Sequence, residues 1–193
     1  MGYIFGNRGL LYMKKALLIA CVLFIAVIST ACINNMAVQE LNNKAAEYMK
    51  KGDYESAINR LEASLDLDSS IYETYYNLGI AATGANKYEL AIDSFEKGIK
   101  INSENPNLYY SLAVAQNELS DTLLEDGTSD DDEKNLAEDN LEVKKQVIMT
   151  KKLAQNNFKK YLSLSPKADD REEVEEIITE IEEFIKENAS LVK

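Results

Sequence analysis

The sequence predicts an all-α fold, a superhelix of about three helix-turn-helix units closed by a C-terminal capping helix. Three observations point there. Side chains recur at a spacing of 34: Tyr54 with Tyr88, Ala57 with Ala91, Ile58 with Ile92, Leu61 with Phe95, Leu65 with Ile99. Tyr75-Tyr76 returns as Tyr109-Tyr110, Leu78 as Leu112 and Gly79 as Ala113. With 2 Pro and 8 Gly in 193 residues, the chain lacks the turn residues of a β-sandwich. Apolar side chains are 46% of the whole, enough for a core.

The first element is an export signal. Lys14 and Lys15 precede Ala16 to Ile28, thirteen residues without charge or polar side chain, and then come Ser29, Thr30, Ala31 and Cys32. That order is positive, apolar, then small. Thirteen helical residues reach ~20 Å, short of the ~30 Å hydrocarbon core of a bilayer. Extended to Ile33 the run reaches ~27 Å, which leaves an uncleaved anchor as the alternative. Ser29-Thr30-Ala31-Cys32 resembles a bacterial lipoprotein signal, matching at Thr30, Ala31 and Cys32 and departing at Ser29, where that family usually has Leu. The resemblance implies acylation of Cys32 and removal of residues 1–31, with 32–37 as a short tether. Leu18-Ile19-Ala20-Cys21 fits the box letter for letter, but only five apolar residues separate Lys15 from Cys21. Met13-Lys14-Lys15 reads as a natural signal start, so Met13 stands beside Met1 as the initiator.

Residues 38–166 carry the repeats. Unit one runs from Val38 to Ser69, with Gly52-Asp53-Tyr54 between its helices. Unit two runs from Tyr72 to Asn105 and holds Tyr75-Tyr76-Asn77-Leu78-Gly79, Tyr88, Ala91 and Phe95. Unit three begins at Pro106, where a missing N–H costs a first helical turn nothing. These residues resemble the tetratricopeptide repeat (TPR), which stacks helix pairs into a superhelix. Small residues at Ala57, Gly79, Ala91 and Ala113 let helices approach, and Tyr and Phe fill the remaining space.

Unit three is interrupted by about 29 extra residues, an insertion at about 120–148. Its second helix is recognisable only at Ala154, Phe158, Tyr161, Leu162 and Leu164. Leu136, Asn140, Val143, Val147, Thr150, Ala154, Phe158 and Tyr161 form one stripe, predicting a helix of about thirty residues, ~45 Å long. Lys144, Lys145, Lys151, Lys152, Lys159 and Lys160 are expected on its solvent faces. Paired with a first helix from Asn107 to about Glu125, it forms a projecting hairpin. The tip holds Asp130-Asp131-Asp132-Glu133, consecutive acids without the alternate spacing of a calcium loop, so a solvated loop is favoured over a metal site. In the C-terminal element, residues 167–193, Val174, Ile177, Ile178, Ile181 and Ile185 share one face, opposite most of ten acids between Asp169 and Glu187. That is a solvating cap helix and tail.

Composition narrows the function. The chain has no His, and its two cysteines, Cys21 and Cys32, lie in the N-terminal segment, so the repeats have no imidazole base and no thiol. No phosphate loop, nucleophile elbow or metal-ligand spacing stands out, and neither an enzyme nor a cofactor, metal or small-molecule substrate is expected. From residue 32 onward 18 basic residues face 33 acidic ones, which repels nucleic acid. The family resemblance implies a groove lined by the first helix of each unit, with Asn42, Met49, Glu73, Tyr76, Asn77, Ile80, Tyr110 and Asn117 as its candidate contacts. One TPR subfamily grips a C-terminal carboxylate with Lys, Asn and Arg. At the matching positions Asn42, Ala46, Asn77, Asn107 and Ser111 only Asn77 fits, so acidic chaperone tails are not expected as ligands. The expectation is an exported, lipid-anchored protein-interaction module or assembly factor at the bacterial cell envelope. Its partner would be a protein or peptide segment, and its membrane contact the N-terminal lipid. The alternative is a structural subunit of a larger envelope complex that uses the hairpin as its contact.

Overall fold

A computed structural model describes residues 4–126 and 136–188, with side chains for 14–21, 35–125 and 141–188. Among them are seven helices and no strand: α1 (Ile4–Lys50), α2 (Tyr54–Leu67), α3 (Tyr72–Gly84), α4 (Tyr88–Ile101), α5 (Pro106–Asp126), α6 (Leu136–Leu164) and α7 (Arg171–Glu187). Each packs on the next, and α1, α3 and α5 also touch in turn. The result is an all-α superhelix of stacked helix pairs.

The repeat extends to backbone hydrogen bonds at the turns. After α1, Gly52 N–H bonds to Met49 C=O and Asp53 N–H to Tyr48 C=O, with Gly52 at φ 73°. After α3, Asn86 N–H bonds to Thr83 C=O and Lys87 N–H to Ala82 C=O, with Asn86 at φ 57°. Both are helix stops that need a left-handed residue, a conformation Gly adopts freely and Asn tolerates. Asp53 then caps α2 by accepting from Ser56 N–H at 3.1 Å.

Two cores follow. The first joins α1 to α5 through Ala45, Ala57, Leu61, Leu78, Ala81, Ala91, Phe95 and Leu108, with Phe95 wholly buried. The second joins α5, α6 and α7 through Ala113, Ala154, Phe158, Tyr161, Val174, Ile178 and Ile181. Ile177 and Ile185 pack against its edge, so the apolar face of α7 covers the end of the array.

Helix α6 has 29 residues, ~44 Å, and pairs with a 21-residue α5. Its buried face takes in Val147, Ala154, Phe158 and Tyr161 of the predicted stripe and adds Ile148 and Leu162. Lys151 contradicts the expectation of a solvent-facing lysine. It is 7% exposed. A step of 100° per residue puts Lys151 on the inner arc and its neighbour Lys152 on the outer. The acidic tip Asp130–Glu133 lies outside the described residues.

The N-terminal segment is helical from Ile4 onward, and 32–37, expected as a tether, is a stretch of α1. No Gly or Pro between Ser29 and Lys51 interrupts that helix. The described side chains of 14–21 are exposed, and the first buried one is Val38. The side chain of Cys32 lies outside the described residues. Among the described residues no helix is long and apolar enough to cross a membrane, and no group of acids or cysteines is placed to hold a metal ion.

Candidate peptide-binding groove

Helices α1 and α3 lie side by side with α2 behind them, and one asparagine joins all three. Asn42 donates from Nδ2 to Val38 C=O at 3.0 Å, to Ser64 Oγ of α2 at 2.8 Å and to Thr74 Oγ1 of α3 at 3.2 Å. Asn77 of α3 donates back to Asn42 Oδ1 at 3.3 Å. Ser64 and Thr74 are wholly buried, so the amide of Asn42 answers two hydroxyls that water does not reach. A polar knot of this kind fixes the separation of α1 and α3.

In front of that knot is an open cleft of about 400 Å³, walled by Asn35, Gln39, Asn42 and Asn43 from α1, by Glu73 and Asn77 from α3 and by Ile71 just before it, with Val38 and Thr74 at its base. Five carboxamides and one carboxylate line it, and no cation does. Gln39 Nε2 donates to Asn35 Oδ1 at 2.9 Å. Glu73 is exposed in the first turn of α3, where the helix dipole favours a negative charge. Carboxamides offer donors and acceptors at the spacing of a peptide backbone, so the walls suit an extended chain.

The predicted contacts are thus distributed unevenly. Asn42, Glu73 and Asn77 meet at this cleft. Ile80, 36% exposed, lies one turn further along α3. Met49 and Tyr76 are half-buried against the first core, with the Tyr76 ring 6.0 Å from that of Phe95. Tyr110 stands elsewhere, its ring 5.8 Å from Phe158 and 5.2 Å from Tyr161, against the core that α6 and α7 complete. Burial, then the carboxylates of Glu173 and Asp170, push the Tyr110 hydroxyl above its ordinary pKa.

Asn117 is held in a second polar knot. Lys151 Nζ donates to Asp121 Oδ1 at 2.6 Å and to Asn117 Oδ1 at 3.0 Å, while Asn117 Nδ2 donates to Asp121 Oδ2 at 3.1 Å. The ammonium lies 5.5 Å from the Phe184 ring centre, so this one lysine ties α5, α6 and α7 together. Sequence reasoning missed it, and it also missed Gln39 and Asn43 as walls of the cleft. For Asn43 a signal was present, since it sits 34 residues before Asn77.

A tetratricopeptide-repeat family profile matches residues 72–105, and a TPR repeat profile matches 45–82. No curated protein matches the sequence. Among solved structures the chain is similar to the TPR domain of Arabidopsis OM64, at TM-score 0.57 and 17% identity, over 75% of this chain and 96% of that one. It is similar to the second TPR domain of human RPAP3 in complex with an HSP70 peptide, at TM-score 0.55 and 17% identity, over 77% and 98%. It is also similar to the Yersinia enterocolitica type III secretion chaperone SycD in complex with a peptide of the translocator YopD, at TM-score 0.53 and 18% identity, over 78% and 93%. Residues 45–105 therefore carry tetratricopeptide repeats, built into an all-α superhelix of that type.

Proposed function

We propose that this protein is an exported, lipid-anchored TPR module that holds a protein or peptide segment at the bacterial cell envelope, as a binding module or assembly factor. The observation that carries the binding part is the cleft between α1 and α3, open, polar and braced from behind by Asn42. Peptides held by the RPAP3 and SycD domains support the same use of the fold. The partner differs from an acidic tail, because the cleft offers Glu73 and no cation. The anchoring part rests on the order of Lys14-Lys15, the apolar run and Cys32. Two or three acyl chains there give stable attachment, at ~0.8 kcal/mol per buried CH₂.

Photocrosslinking tests the binding part. A photoreactive side chain in place of Asn43, an exposed wall of the cleft, is expected to join one defined protein in intact cells. A clean failure there, with a defined adduct from exposed Lys152 on α6, would transfer the contact to the hairpin. That second reading, a subunit of a larger envelope complex, is favoured by Met149 and Leu153, 64% and 50% exposed on the outer face of α6.

A further inference from the structure

From Val143 onward α6 carries a charge pattern opposite to that of the chain as a whole. Between Val143 and Ala168 there are seven lysines and no acid, in a chain whose formal net charge is −12. Five of the six lysines on α6 lie outside the core, Lys151 being the buried exception. The helical step places Met149, Lys152, Leu153, Asn156, Lys159 and Lys160 on one outer arc, and all six are exposed. Lys145 at the end of that arc is paired with Glu142 at 2.8 Å, and Lys160 lies 5.8 Å from the Tyr109 ring centre. Lys152 and Lys159 have no partner among the described residues.

We propose that this arc is a docking surface for an acidic amphipathic helix of a partner protein, a proposal that rests on the hairpin reading above. Met149 and Leu153, four residues apart, form the apolar centre of a helix–helix seam, and the lysines flank it as charged residues flank such seams. Size decides between a helix and an anionic bilayer. The apolar part of the arc is two side chains one turn apart, Met149 and Leu153, a seam that fits a rod about 10 Å wide and offers little to bury in a bilayer.

The test uses the full chain in its own cells, with Met149 replaced by p-benzoylphenylalanine and the adduct mapped by mass spectrometry. The expected adduct joins Met149 to a helical segment of net negative charge. Lys152→Glu with Lys159→Glu should cut its yield at least tenfold while the helical circular dichroism is unchanged, and exchanging the partner's joined glutamates for lysine should restore it. A phospholipid adduct, an adduct to a neutral or basic segment, or a yield indifferent to the charge reversal would each overturn the proposal. An adduct to a non-acidic segment sinks this inference and leaves the hairpin reading standing. Absence of any adduct sinks both.

Discussion

Gly79 sits on α3 against the most deeply buried ring of the first core. A methyl group built on it would lie 2.6 Å from Phe95 Cζ and 2.7 Å from Cδ1. Phe95 cannot yield freely, because it is wholly enclosed and its ring also packs on Tyr76. Gly79→Ala therefore opposes two effects. Alanine is the better helix former by about 1 kcal/mol, whereas overpacking a closed core costs about 1–3 kcal/mol. A contact this short belongs to the upper part of that range, so the net loss is about 1–2 kcal/mol, a fall in Tm of ~2–8 °C. Phe95→Leu should destabilise the chain on its own by leaving a void. In the double variant the new methyl enters the space the ring has left, and the two losses fall short of additive by about 1 kcal/mol. Urea titration followed by circular dichroism at 222 nm reads all three variants. Unchanged or raised stability in Gly79→Ala, or additive losses in the double variant, would refute this packing argument.

Other substitutions separate the two polar knots from their surroundings. Asn42→Ala should cost about 1–3 kcal/mol in urea unfolding, because it strips a partner from buried Ser64 and Thr74. Lys151→Ala should cost about 1–3 kcal/mol through its bonds to Asp121 and Asn117, whereas Lys152→Ala should stay within about 0.5 kcal/mol. Tyr161 donates to Asp170 Oδ1 at 2.6 Å, and that bond to a carboxylate, with burial, pushes its pKa up to about 12. The folded state thus holds a proton that the unfolded chain releases near 10. Stability from this group is complete below pH 10 and is lost as pH rises from about 10 to about 12; Tyr161→Phe should remove that part of the alkaline profile.

The fold was legible where a residue's role depends on its own helix. Periodicity marked Phe158 and Tyr161 as core and Val174, Ile178 and Ile181 as a cap face, since a buried stripe is written in the sequence that forms it. The length of α6 was legible for the same reason. Lys151 was not, because six lysines in adjacent pairs look alike and its partners Asp121 and Asn117 are 30 and 34 residues away on another helix. At the site, register alone named Asn42, Glu73 and Asn77. It could not say that Asn42 bonds backward to Ser64 and Thr74, nor that Tyr110 packs toward α6, since both depend on which helix lies behind. The continuity of α1 through 32–37 was also hidden, because the tether followed from the resemblance at Cys32 and not from any residue there that ends a helix.

The most direct test of the proposed tethered module is the intact mass and N-terminal peptide of the native protein, taken from the detergent phase of a membrane extract. A diacyl or triacyl adduct on Cys32, with residues 1–31 gone, is the result this account predicts. An unmodified Cys32 in a chain that retains Ala16 to Ile28 would contradict the lipid anchor and leave a helical one in its place.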